Sequence, residues 1–150
     1  MEKNLTADNY YSPEQNSRFF SVSQYKDFMK CEAAAMAKIR GAYKQPVTKA
    51  LLVGSFVDSY FEGTLDTFIK ENPAIFTRKN ELRSEFRKAN EIIARIKSDS
   101  LFMRFMSGDK QKILTFSFLG TDWKMKMDSY LEEICITDLK VVANFRTMPF

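Results

Sequence analysis

Helical patterns first and strand patterns afterwards predict an α+β chain. Residues 21–106 carry apolar side chains at helical spacing between residues that start and stop helices. Residues 112–142 hold three short runs rich in β-branched and aromatic side chains. With 45% hydrophobic and 14% aromatic residues in 150, there is enough apolar material for the core of one domain or part of one. The expected architecture is a helical N-terminal half packed on a small mixed or antiparallel sheet.

Residues 1–20 are polar, include Ser12-Pro13, and are expected to form an extended lead-in to a domain over 21–150. Ser21 or Ser23 can cap the first helix, in which Tyr25, Phe28, Met29, Met36, Ile39 and Tyr43 recur until Gly41 and Pro46 stop it. Tyr25, Phe28 and Met29 are expected in the core. A second helix should run from Thr48 to Phe61, closed by Gly63. A short one over 65–70 should end before Asn72-Pro73, since the residue before proline avoids helical backbone. The clearest helix is basic: Leu82, Phe86, Ala89, Ile93 and Ile96 form one apolar stripe with charges opposite. Ser98 or Asp99 can cap a further turn or two, through Met106 to Gly108. Lys112–Phe118, Trp123–Tyr130 and Ile134–Val142 then predict a β-meander, with Gly120-Thr-Asp and Glu132-Glu133 as the turns.

Composition removes several kinds of chemistry. No stretch approaches the roughly 18 consecutive apolar residues of a membrane helix, and the N-terminus lacks the apolar centre of a signal peptide. Membrane insertion and secretion are not expected. Cys31 and Cys135 are the only cysteines and form no Cys-x-x-Cys, so a four-thiolate metal site cannot be assembled. Cys31 is expected as a buried or half-buried structural thiol. There is no histidine, hence no imidazole base and no histidine-ligated metal. Any chemistry runs on carboxylates and lysines.

The formal net charge is +4, and its distribution is uneven. Residues 78–97 hold seven basic side chains against three acidic ones, leaving 16 of each elsewhere. Such a stretch suits an anionic partner; it equally suits a solvated helix face laced by i,i+4 pairs.

Three pieces can carry chemistry. In Trp123-Lys-Met-Lys-Met-Asp128-Ser-Tyr, strand alternation puts Trp123, Met125, Met127 and Ser129 on a packed face. Lys124, Lys126, Asp128 and Tyr130 take the other. Ten residues on, Asp138-Leu139-Lys140 places an acid and a lysine on one face. An acid and a lysine facing an acid on the neighbouring strand is what a metal-dependent phosphodiesterase needs. Carboxylates hold hard divalent cations, the metal lowers the pKa of a bound water, and lysine positions that water or neutralises developing charge. In the second helix, Gly54, Asp58 and Glu62 fall at i, i+4 and i+8 on one face, where glycine permits close backbone approach. Each piece alone is common, since Asp-x-Lys occurs by chance and helical Asp–Glu pairs are usually solvated.

The ordered set is more specific. Ser21-Val-Ser-Gln-Tyr-Lys-Asp-Phe-Met-Lys-Cys-Glu, Leu52-Val-Gly-Ser-Phe-Val-Asp-Ser-Tyr-Phe-Glu-Gly, Trp123-Lys-Met-Lys-Met-Asp and Ile136-Thr-Asp-Leu-Lys occur in that order. Over roughly residues 10–142 the chain resembles the PD-(D/E)XK nuclease superfamily. It is most similar to the phage and prophage exodeoxyribonuclease VIII-like (RecE-type) group. The resemblance implies a restriction-endonuclease-like core and Mg²⁺- or Mn²⁺-dependent hydrolysis of linear DNA in phage recombination or DNA processing. It implies Asp128 and Asp138 as metal ligands, Lys140 as the catalytic lysine and Glu62 as the helical acid. Asp58, where RecB-type relatives often carry histidine, is an additional ligand candidate. Arg83, Arg87, Lys88 and Arg95 would grip backbone phosphates, and Lys124 and Lys126 could contact phosphates beside the metal. DNA is the expected partner, with a homo-oligomer or a recombination protein as further candidates, in the cytoplasm of a bacterial or phage-infected cell.

The resemblance also implies a further helix, with Gln-x-x-x-Tyr or a similar motif, and another strand after Asp-x-Lys. The sequence stops at Phe150 without room for them, so the expectation is a nuclease domain truncated at its C-terminus. The rival expectation is a non-catalytic nuclease-like module that binds DNA or a protein partner.

Overall fold

The structure, a computed structural model, describes residues 4–142. The expectation resting on residues 143–150 lies outside the described residues. Within them the chain forms two compact units, one of residues 4–46 with 111–127 and one of residues 47–110 with 128–142. Helices precede strands in the order expected of an α+β chain.

In the first unit the lead-in is not extended, a correction with a local cause. Ser12 Oγ accepts from the Gln15 N–H at 3.2 Å and Pro13 occupies the first helical turn, starting α1 (Pro13–Arg18). Serine as cap followed by proline is a favoured helix start. Tyr10 and Gln15 are buried, which ties the segment down.

The first expected long helix divides into α2 (Val22–Lys30), capped by Ser21, and α3 (Glu32–Ile39). Cys31 between them is extended, with φ −163° and ψ 107°. The break lets Lys38 Nζ pair with Asp27 Oδ2 at 2.9 Å, eleven residues back along the chain. The stripe predicted for one continuous helix therefore does not form one buried face. Tyr25 and Met29 are exposed, as is Cys31, correcting all three expectations. Phe28 is half-buried, its ring 5.7 Å from that of Phe20.

Strands β1 (Lys112–Phe118) and β2 (Thr121–Met127) pair antiparallel with Phe116 opposite Trp123. Leu119 and Gly120, with φ of 51° and 71°, make the two-residue connection whose backbone matches strand twist. Along the other edge of β2, Phe20 accepts from the Lys124 N–H and donates to the Asp122 carbonyl, each at 2.8 Å.

In the second unit, α4 (Lys49–Glu62) starts where Thr48 Oγ1 accepts from the Leu51 N–H at 3.2 Å. It ends at Gly63, whose φ of 77° is the left-handed conformation that glycine adopts without a Cβ penalty. Then follow α5 (Leu65–Glu71), a 3₁₀ turn at Pro73–Ile75, α6 (Ser84–Lys97) and α7 (Ser100–Phe105), the last capped by Asp99 Oδ1. The basic helix buries its predicted stripe: Phe86, Ala89 and Ile93 join Phe56 and Val57 of α4, with Ile75, Met106 and Leu139, in one core. The Phe56 ring meets those of Phe68 and Phe86 edge-on, at 6.0 and 5.5 Å between centroids.

The meander does not form as one sheet. β1 pairs with β2, and β3 (Ser129–Leu131) pairs with β4 (Cys135–Thr137), as two separate two-stranded antiparallel sheets. The run Trp123–Tyr130 breaks at Asp128, whose carboxylate Oδ2 accepts the Leu139 N–H at 2.7 Å. The third run contributes strand only at Cys135–Thr137; residues 138–142 continue outside regular structure. Among the described residues, no helix is long and apolar enough to cross a membrane.

Candidate functional site

The four acids singled out as metal-ligand candidates, Asp58, Glu62, Asp128 and Asp138, lie in the second unit with Lys140, and its core sets their positions. Phe56 and Val57 turn into the core from α4, so Asp58, the next residue, and Glu62, one turn on, fall beside it. Both line a small cleft with Asp128, Phe61, Met106 and Leu139. Gly54 does not contribute close approach as expected, because a Cβ there would meet open space.

Leu139 anchors the Asp-x-Lys segment. It is buried while Asp138 and Lys140 are exposed, so alternation survives where the strand does not. Lys140 Nζ donates to Asp138 Oδ1 at 2.8 Å and stands 2.7 Å from Oδ2. Burial pulls the Lys140 ammonium down. The hydrogen bond and charge of Asp138, with the charges of Asp128 and Asp58, outweigh it and raise the pKa overall.

Asp58 is the most perturbed acid of the cleft. Its Oδ1 is buried and has no hydrogen-bond partner among the described residues. Burial first, then repulsion from Asp128 and Glu62, push its pKa up to about 6; Lys140 opposes the shift. An acid raised from its ordinary 3.8 favours the fold only while protonated. That contribution is complete below pH 3.8 and is lost as pH rises through about 6. Because the carboxyl is only partly buried and solvent screens part of the repulsion, Asp58→Asn is expected to stabilise the chain at pH 7.5 in EDTA by on the order of 1 kcal/mol, with the gain vanishing near pH 4. Urea denaturation at both pH values reads this directly, and an equal gain at pH 4 would exclude ionic repulsion as its source.

Hard oxygen donors and an unpartnered, repelled carboxylate fit a divalent cation. Asp58, Glu62 and Asp128 are the residues that would hold it, with Asp138 beside them. The set is not closed, however. Among the described residues, no three acids or thiols are disposed as a ready metal-binding group. Two of the four expected ligands are engaged elsewhere: Asp128 with the Leu139 N–H, Asp138 with Lys140.

The basic candidates divide. Arg83, Arg87, Lys88 and Arg95 are all exposed on or beside α6. Arg83 Nε donates to the Ala74 carbonyl at 2.9 Å and Arg87 Nη1 to that of Leu82 at 2.8 Å. Lys88 and Arg95 line a groove of about 640 Å³ that also reaches Lys140, floored by Ile92, Ile96 and Phe102.

Lys124 is a correction. It is 2% exposed, and its Nζ donates to the Tyr10 carbonyl and, at 2.8 Å, to Asn16 Oδ1. Burial pulls its pKa down to about 8. That ammonium ties the lead-in to β2 and is not presented to a phosphate. Lys126 is half-buried, its Nζ 5.0 Å from the Tyr11 ring centre and 5.6 Å from that of Tyr10. Nor do the two lysines share a strand with Asp128, which follows the end of β2.

Lys110 carries no sequence signal, since residues 107–111 have neither periodicity nor a motif. Its Nζ donates to the carbonyl of Met106, a residue lining the cleft. Burial lowers its pKa, while the charges of Asp128 and Glu62 work to raise it.

Comparison with known proteins agrees with this geometry. Residues 21–150 match the profile of a family described as a PDDEXK-like domain of unknown function (DUF3799). Among solved structures, the chain is similar to a protein from Eubacterium rectale described as a "putative exonuclease". The two share 48% identity and superpose with a TM-score of 0.85, over 96% of this chain. The chain spans 60% of the length of that protein. Among curated proteins, none matches. The match over residues 21–150, together with an acidic cleft beside Asp138-Leu139-Lys140, shows that the chain belongs to the PDDEXK-like family.

Proposed function

We propose that this chain carries the catalytic site of a metal-dependent deoxyribonuclease acting as an exonuclease on linear DNA in phage recombination or DNA processing. One observation carries the reading: Asp58, Glu62 and Asp128 share a cleft in which Asp58 Oδ1 is buried without a hydrogen-bond partner and its carboxyl is repelled by its neighbours, with Lys140 electrostatically coupled to it. Family membership and the likeness to the Eubacterium rectale protein support it.

When bound, Mg²⁺ or Mn²⁺ would neutralise phosphate charge and lower the pKa of a coordinated water. The chain's own residues do the rest. Asp58, Glu62 and Asp128 supply oxygen donors, and Asp138 holds the Lys140 ammonium by hydrogen bond and charge. Lys140 orients the attacking water, and Arg83, Arg87, Lys88 and Arg95 present cations to backbone phosphates. Phosphate contacts of this kind predict affinity that falls steeply with salt and is indifferent to base sequence.

The test is digestion of end-labelled linear duplex DNA with Mg²⁺, with EDTA, and by Asp138→Asn. Metal-dependent digestion by the wild type, lost in a folded variant, is expected. A folded wild-type chain that digests nothing would overturn this reading. It would favour the second one, a non-catalytic module binding DNA or a protein partner, which the open ligand set favours.

A further inference from the structure

Among the described residues, Lys110 is the one cation near the cleft for which neither sequence motif nor resemblance supplies a role, and the surrounding backbone holds it there. Gly108 lies so close to Tyr130 that a Cβ would collide with the Tyr130 carbonyl. The Gly108 N–H donates to Ser129 Oγ at 3.0 Å, and Asp109 and Tyr130 exchange both backbone hydrogen bonds at 2.9 Å. Ser129 is fully buried and follows Asp128 directly, so residues 108–110 are pinned alongside the segment that presents Asp128. From there the Lys110 ammonium reaches the carbonyl of Met106, itself buried in the cleft wall.

Lys110 interacts electrostatically with Asp128 and Glu62, and Lys140 with Asp138, Asp128 and Asp58. Asp128 is common to both. An ammonium has three donors, and the neutral Met106 carbonyl takes one. We propose that Lys110 is a second cation of the site, contacting a substrate phosphate beside Asp128 and Glu62 while Lys140 serves the side of Asp138. This rests on the nuclease reading above. The bland alternative is that Lys110 only satisfies a carbonyl at the end of α7, as cations commonly do at helix C-termini.

The two roles differ in what they move. A phosphate contact contributes about one unit to the slope of log affinity against log salt, whereas a helix-end contact contributes stability alone. Lys110→Gln keeps a donor for the Met106 carbonyl and removes the charge; Lys110→Arg keeps both. Binding of a labelled linear duplex is measured in EDTA across a salt series, with digestion in Mg²⁺ and thermal midpoints alongside.

The expected result is a slope shallower by about one, weaker binding and slower digestion for Lys110→Gln, with an unchanged midpoint and rescue by Lys110→Arg. A Lys110→Gln chain with the wild-type slope overturns the proposal, as does one that unfolds, which would assign Lys110 to the end of α7. If the wild type digests DNA and the slope is unmoved, this inference fails and the nuclease reading stands. A wild type that neither digests nor binds fails the reading itself.

Discussion

Asp128→Asn is expected to reduce metal-dependent DNA cleavage by roughly 10³-fold, the kinetic equivalent of losing several kcal/mol of charge stabilisation. The variant should stay folded. Asp128 has two separable tasks: its charge faces the cleft shared with Asp58 and Glu62, and its Oδ2 accepts the Leu139 N–H at 2.7 Å. Asparagine retains an acceptor and loses the charge. Asp128→Ala removes both, leaving the Leu139 N–H without its partner next to a buried side chain, at a cost of about 1–3 kcal/mol. Cleavage assays beside urea denaturation of the two variants separate the tasks. Equal destabilisation in both would mean that the charge itself supports the fold, and undiminished cleavage by Asp128→Asn would remove the residue from the site.

Phe56→Ala is expected to cost about 3–5 kcal/mol, a large part of the stability of an ordinary domain. Phe56 is 1% exposed and packs against Phe68 and Phe86, joining α4, α5 and α6. Truncation would leave a cavity at that junction, two residues before Asp58. Denaturation midpoints should fall sharply, and cleavage should fall with them even where folded chain remains. Phe56→Leu, which keeps most of the volume, should cost much less. Similar midpoints for Phe56→Ala and the wild type would contradict the burial on which the site's position depends.

The helices of the second unit were legible because their signals are local. Thr48 and Gly63 bound α4 as residue types at known offsets; of the two caps the sequence offered next, Ser98 and Asp99, it is Asp99 that starts α7. The stripe of Phe86, Ala89 and Ile93 reaches the core because a sustained apolar period of 3.6 has one way to be buried. The N-terminal helices were less legible. Periodicity through Cys31 reads as one helix, yet the pair between Lys38 and Asp27 forms only after the chain turns back. The apolar stripe did not report that turn.

Strand patterning misled in the same way. Lys112–Phe118 forms as read, since a hairpin needs little beyond its own turn. Alternation through Trp123–Tyr130 predicts one strand, and the structure breaks it at Asp128, whose Oδ2 accepts the Leu139 N–H from eleven residues on. The inward turn of Lys124 is likewise non-local, since its partners Tyr10 and Asn16 lie more than 100 residues away in sequence.

By itself, then, the sequence determined the α+β order, the helix ends at Thr48 and Gly63, a further cap at Ser98 or Asp99, the lack of histidine, and the residue types able to act. Short-range chemistry is enough for those: capping, periodicity and side-chain inventory are written within a few positions. Only the tertiary structure decided which charges share a cleft. It placed Asp58, Glu62 and Asp128 together, brought the Lys110 ammonium to the carbonyl of the cleft-lining Met106, and withdrew Lys124 into a buried contact with the lead-in. The physical reason is that burial and electrostatic coupling act through space, between residues that sequence separation leaves unrelated.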